Sequence, residues 1–236
     1  LLVPMEKRNS TPVTSPYAIL ANSPDSHSFQ HFLDRVTHIL EQGDHLLPRN
    51  KSGVQVVVGN RNPQGHVLKM YEKLGYRNRK QLTVVPVSAE RFIFSCRVPL
   101  VHPYMSLRSA ETLLGHLPQI PLSERKVVLF MSRKGAAHGR GLKNEELLIE
   151  DIRQLLQQRN LNEELRVVTN AGKEDFEEWI KFLHLNVTAM IGPHGGAFYN
   201  HRFCSRDTLI IEINPSTRIA MVTWEEASCR LCQIFF

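Results

Sequence analysis

From Lys126 onward the sequence alternates short apolar, β-branched runs with longer stretches of helical periodicity, and few architectures accept that rhythm. The runs are KVVLFMS (126–132), LRVVTN (165–170), VTAMI (187–191) and TLIIEINP (208–215). NEELLIEDIRQLLQQRN (144–160) carries Leu and Ile at helical spacing, with acids in its first turn where the helix dipole favours them. EDFEEWIKFLHL (174–185) also reads as a helix, and GGAFYNHRF (195–203) is expected to open another. The strands are apolar on both faces, which calls for a parallel sheet covered on both sides by the helices. That is a Rossmann-like domain.

The first half repeats the rhythm less cleanly. SFQHFLDRVTHILEQG (28–43), QGHVLKMYEKLGY (64–76) and SLRSAETLLGHL (106–117) read as helices. GVQVVVGN (53–60), QLTVVPV (81–87) and RFIFSC (91–96) read as strands. Pro118 and Pro121 mark a linker over 117–125, so the expected division is 1–117 and 118–236, two α/β units of ordinary domain size. In such units a ligand occupies the crevice at the carboxyl ends of the strands.

Composition removes several classes of function. Apolar content of 42 % and charged content of 22 % are ordinary for a globular chain, and no apolar run reaches the ~20 residues that span a bilayer. The chain starts LLVPMEKRNS without an initiator Met and stops straight after an apolar stretch, so it reads as a fragment or processed form. Any membrane attachment is expected from a segment absent from this chain. The net charge of +6 resides in the first half, where residues 1–120 carry 14 basic against 8 acidic side chains while 121–236 carry 15 of each. No Lys/Arg run accompanies it, so no nucleic-acid partner is expected, and an anionic small molecule suits the excess as well. Cys229-x-x-Cys232 lacks a second pair or a nearby His at zinc spacing, so no metal site is expected there. Asn9, Asn50 and Asn186 head formal glycosylation sequons, a weak pointer to a secretory route.

Two loops carry the chemistry. GPHGGAFYN (192–200) follows a strand and precedes a helix, which places it at a carboxyl-end crevice. Gly195 and Gly196 permit close backbone approach, and a helix starting there would aim free N–H groups at a phosphate. The sequence is neither G-x-G-x-x-G nor a P-loop, which argues against a dinucleotide-dependent oxidoreductase. A tight turn whose histidine bonds local backbone is the plain alternative. The second loop, SRKGAAHGRGLKNEE (132–146), also follows a strand and precedes a helix, and brings Arg133, Lys134, Arg140 and Lys143 to the same edge. Guanidinium forks take phosphate oxygens bidentately, so the two loops together favour diphosphate over a merely solvated basic loop.

MSRKGAAHGRGLKNEELL followed by GPHGGAFYNHRFCSRDTLIIEINP resembles the C-terminal half of glycosyltransferase family 61, in order over about 90 residues. The family pattern falls on Arg133, Arg140, Asn144, Glu145, Gly192, His194, Gly195, Asn200 and Glu212, and departs at Gly196-Ala197-Phe198, where Ala-Gly-Leu is usual. The resemblance implies a GT-B-like fold, two Rossmann-like domains facing each other across a cleft. The first would serve the acceptor and the second a nucleotide-sugar, UDP-linked by analogy. It implies inverting transfer to a hydroxyl of a glycan or protein in the lumen of the endoplasmic reticulum or Golgi. Arg133, Arg140, His194, Gly195 and Gly196 would hold the diphosphate, and Glu212 and Asn144 the nucleoside. The sequence contains no Asp-x-Asp, so neutralising the leaving group falls to arginine and backbone N–H groups, without metal or other cofactor.

Inverting transfer needs a base. Counted at ~100° per residue, His31, Asp34 and His38 fall within about 40° of His27, opposite Phe32, Leu33, Val36, Ile39 and Leu40. This polar stripe is expected to lie outside the core, facing solvent or a cleft. HFLD (31–34) resembles a His-Phe-x-Asp element found in one branch of the family, which makes Asp34 or His31 the candidate catalytic base. An unperturbed carboxyl near ~3.9 is a weak base, whereas imidazole near ~6.5 is better placed. The alternative reading is a nucleotide-sugar-binding pseudoenzyme or scaffold without turnover.

Overall fold

The computed structural model describes residues 11–23, 26–59, 61–95, 102–135, 141–169, 174–214 and 234–235. The chain divides into two compact units, Leu1–Leu100 and Val101–Phe236, each mixed α/β with a sheet whose pairings are all parallel. The division leaves the helix at Pro103–Leu114 in the second unit.

The first sheet has the order β3-β2-β1-β4, from β1 (Val13–Leu20), β2 (Val54–Val57), β3 (Leu82–Thr83) and β4 (Val87–Ile93). The sequence reading contains no strand at β1, and Pro16, which cannot donate to a ladder, is unusual in a central position. The sheet steps over it. Pairing with β2 begins at Tyr17↔Val54, and pairing with β4 passes from Ser15↔Ala89 to Tyr17↔Arg91. The Ser15 hydroxyl donates to Gly53 O (2.6 Å), and the Pro16 ring packs where a Gly53 side chain would begin.

The helix expected at 28–43 is present but not uniform. It starts as α1 (Phe29–His31), capped by the Ser28 hydroxyl. It then passes through a π-helical stretch, Phe32–Val36, and ends as α2 (Thr37–Gly43). A π turn takes more residues per turn than the 3.6 used in counting, so the angular argument fails beyond Phe32. The outward polar stripe is corrected accordingly. Asp34 is 4 % exposed and His38 0 %, as buried as Phe32, Leu33, Val36 and Leu40. α3 (Gly65–Lys73) completes the unit, its Tyr71 ring edge-on to Phe32 and Tyr76.

The second sheet has the order β6-β5-β7-β8-β9. β5 (Val127–Ser132) and β7 (Val187–Pro193) form its buried centre, β6 (Glu164–Thr169) is an exposed edge, and β8 (Leu209–Ile213) leads to β9 (Ile234–Phe235). α4 (Pro103–Leu114) has proline at its first position and stops at Gly115, whose φ of 68° ends a helix without a Cβ penalty. α5 (Glu145–Arg159) and α6 (Phe176–Asn186) follow their sequence expectations, α6 starting where Asp175 accepts from Glu177 N and Glu178 N. The segment after β7 differs. Gly196–Phe203 is a 3-10 helix rather than an α-helix, and Phe198 N is spent on Gly195 O (2.8 Å). Tight i→i+3 turns leave fewer N–H groups aligned at the start, so phosphate recognition here leans on side chains more than on a helix dipole.

Candidate active site

The chain leaves β5, passes through α5 to β6 on one side, and returns through α6 to β7 on the other. The order therefore reverses between β5 and β7, and in open parallel sheets the ligand crevice lies outside the carboxyl ends at that reversal. Both loops singled out in the sequence start there, at Arg133 and His194. Gly192 makes their approach possible. A Cβ on it would stand 2.7 Å from Met131 O, against backbone that cannot yield.

The two loops are tied to each other. Arg133 Nη1 donates to His194 O at 2.8 Å, crossing the crevice. The guanidinium occupies the space of an absent side chain, since a Cβ on Gly195 would lie 1.4 Å from Arg133 Nη1. Gly195 is glycine because Arg133 lies across it. Behind this contact, Glu145, buried at the start of α5, accepts from the Ser132 hydroxyl (2.5 Å) and from Arg133 N (3.4 Å). Ser132 Oγ in turn accepts from Lys134 N (3.1 Å). The backbone that launches Arg133 is thus pinned by a carboxylate at the N-terminus of a helix, where negative charge is favoured.

His194 is held as firmly. Its N–H donates to Ile213 O (2.9 Å), and its Nδ1 lies 2.8 Å from Glu212 Oε1. Glu212 is 2 % exposed, and its Oε2 accepts from Asn214 Nδ2 at 3.4 Å. Asn200 fixes the 3-10 segment, accepting from Trp179 Nε1 on α6 (2.8 Å) and donating to Ala197 O (2.7 Å).

The structure therefore brings together Arg133, His194, Gly195 and Glu212, with Gly196 next along the chain. Asn144 stands exposed just before α5, its side chain making no cap bond. Arg140 lies outside the described residues, as do Cys96, Cys229, Cys232 and Trp224. Lys134 is fully exposed and ion-paired with Glu146, whose carboxylate holds its ammonium above the usual lysine range while Lys134 holds Glu146 below the usual carboxylate range. An exposed pair of this kind adds little to stability. His31 and Asp34 lie in the first unit, with His31 Nδ1 3.4 Å from Asp34 Oδ2 and Arg35 Nε 3.6 Å from Asp34 Oδ1. Among the described residues no group of three or more His, Cys, Asp or Glu side chains could hold a metal ion, and no helix is long and apolar enough to cross a membrane.

Sequence reasoning missed the brace from Glu145 to Ser132. Its signal was present: a strand ending in Ser, a loop, and a Glu opening the next helix. Phe198, where the chain departs from the usual family pattern, is 1 % exposed.

A strand-end arginine lies across a glycine turn at the sheet's reversal point, and comparison with known proteins names the family. No curated protein matches the chain. The family model described as Glycosyltransferase 61 matches residues 27–211, spanning both units and both crevice loops, and the chain belongs to that family.

Proposed function

We propose that the chain transfers a sugar from a UDP-linked donor to a hydroxyl of a glycan or protein, with inversion and without a metal ion. The observation that carries the donor half is the crossing of Arg133 over Gly195 to His194 O at the β5–β7 reversal. A guanidinium held at a strand end beside a glycine turn is preorganised for phosphate oxygens, and cationic donors there stabilise a departing diphosphate. Arg140, Gly196 and the His194 ring complete that site in this reading, with Asn144 and the neighbourhood of Glu212 toward the nucleoside. The acceptor base is assigned to the His31–Asp34 pair. His31 retains 27 % side-chain exposure and Asp34 6 %, which suits a proton-taking imidazole with a carboxylate behind it. The GT-B-like arrangement, two Rossmann-like units across a cleft, and a lumenal setting in the endoplasmic reticulum or Golgi belong to the same proposal and draw on family resemblance.

The test is thermal stabilisation by UDP, GDP, CMP and NAD(P), without added metal and again with EDTA. UDP at a hundredfold excess over its Kd should raise the melting temperature by roughly 5–10 °C, unchanged by EDTA. Stabilisation by NAD(P) alone, or a UDP effect abolished by EDTA, would overturn the metal-free diphosphate site.

A further inference from the structure

His194 has two ring nitrogens, and the structure disposes of one. Nδ1 faces Glu212 Oε1 at 2.8 Å, in a contact whose side chains are 8 % and 1 % exposed. An ionised carboxylate only accepts, so with Glu212 ionised the proton of this bond sits on Nδ1, and Nε2 is the ring nitrogen that Glu212 does not hold. The backbone leaves the ring little freedom, since His194 N is bonded to β8 at Ile213 O and His194 O to Arg133.

Among the described residues, the charged side chains bonded to His194 fit one role. Glu212 comes from β8, and Arg133 from the end of β5. Glu145, from α5, is one step further away, bonded to Ser132 and Arg133 N. In the 3-10 segment His201 Nδ1 lies at Phe198 O and the Arg202 guanidinium over the Tyr199 ring. A carboxylate behind an imidazole favours the form protonated on both nitrogens once an anion stands in front of it.

We propose that Glu212 is a positioning residue for the donor site: it fixes the Nδ1 proton of His194 inward and presents Nε2 to the bound diphosphate as a hydrogen-bond donor. Binding then carries a proton onto Nε2, and His194 supplies positive charge where many nucleotide-sugar sites use a metal ion. The phosphate half of this inference rests on the donor site proposed above, whereas the Glu212–His194 coupling does not.

The experiment uses the whole 236-residue chain labelled with 15N-histidine. The His194 signals are assigned by their loss in His194→Asn, and UDP is titrated by calorimetry at several pH values. Free protein should show His194 protonated at Nδ1, and Glu212→Ala should lose that preference. UDP should bind more tightly as pH falls, by up to about tenfold per unit, the limit for one proton taken up. Glu212→Gln, which keeps an acceptor for Nδ1–H but removes the charge, should flatten this dependence and weaken UDP about tenfold or more. An Nε2–H tautomer in the free protein would overturn the positioning role whatever UDP does. UDP affinity with the same pH slope in Glu212→Gln would overturn the charge role. An Nδ1–H tautomer with no UDP binding would sink the donor site and the phosphate half, leaving the coupling in place.

Discussion

Arg133→Ala is expected to lose most or all UDP-dependent stabilisation, while the melting temperature of the free protein falls by only a few degrees. Two facts separate the effects. The side chain is half-buried, and losing its one hydrogen bond to His194 O costs the folded state about 1 kcal/mol, or roughly 2–4 °C for a chain of this size. A guanidinium on a diphosphate makes charge-assisted bonds of about 1.5–3 kcal/mol, so its removal should weaken UDP by roughly 10- to 150-fold. Gly195→Val should act the same way without touching the arginine. A Cβ at 195 would fall 1.4 Å from Arg133 Nη1 and displace the flexible guanidinium, and the φ of 159° adds backbone strain that lowers the melting temperature as well. The double variant should then be little worse than either single one, because both remove the same contact. Additive losses would mean that Gly195 serves the ligand directly. UDP affinity within twofold of wild type in Arg133→Ala would end the assignment.

Legibility followed how far each feature depends on chain-local pattern. α5, α6 and β5–β8 were readable because their apolar residues lie on regular periods bounded by caps. β1 was not, because Pro16 sits in the middle of a central strand and only the register with β2 and β4 shows how the ladder passes it. The polar stripe failed for a related reason. Asp34 and His38 share a face only if every turn holds 3.6 residues, and the π stretch at Phe32–Val36 breaks that count. At the site, the glycines and arginine were visible as residue types, but their purpose was not. That Gly195 makes room for Arg133, that Gly192 makes room for Met131 O, and that Glu212 serves His194 are contacts across 18 to 62 residues of sequence, which no local pattern encodes. Glu145 is the instructive case. Its place opening α5 was plain, yet its bond to Ser132 exists only because loop and helix return to the same strand end.

Arg125→Met is expected to be among the most destabilising single changes in the second unit, costing about 3–5 kcal/mol, while leaving UDP affinity of the folded protein unchanged. Arg125 is 2 % exposed just ahead of β5. Its Nη1 donates to Val187 O (3.0 Å) and Thr208 Oγ1 (2.7 Å), and its Nη2 to Arg206 O (2.7 Å), so one guanidinium ties the entry of β5 to the entries of β7 and β8. Methionine fills much of the volume but leaves two buried acceptors and one partly buried one without the guanidinium, and each charge-assisted bond lost counts about 1.5–3 kcal/mol before relaxation. Lysine is no substitute, because a single ammonium cannot reach acceptors that a planar fork spans. Urea denaturation should show the midpoint falling with little change in slope; a loss below 1 kcal/mol would mean that Thr208, already bonded to Ser205 O, and nearby water take over the contacts. The contrast with Arg133 is the informative part. The two arginines flank the same strand, one at its amino end among strand entries and one at its carboxyl end beside a glycine turn. A buried fork bonded to the entries of two neighbouring strands holds the sheet together, and a half-buried fork at the carboxyl end is where the donor site is proposed. Stability that tracks Arg125 and UDP binding that tracks Arg133, each without the other, would separate the two roles on one strand.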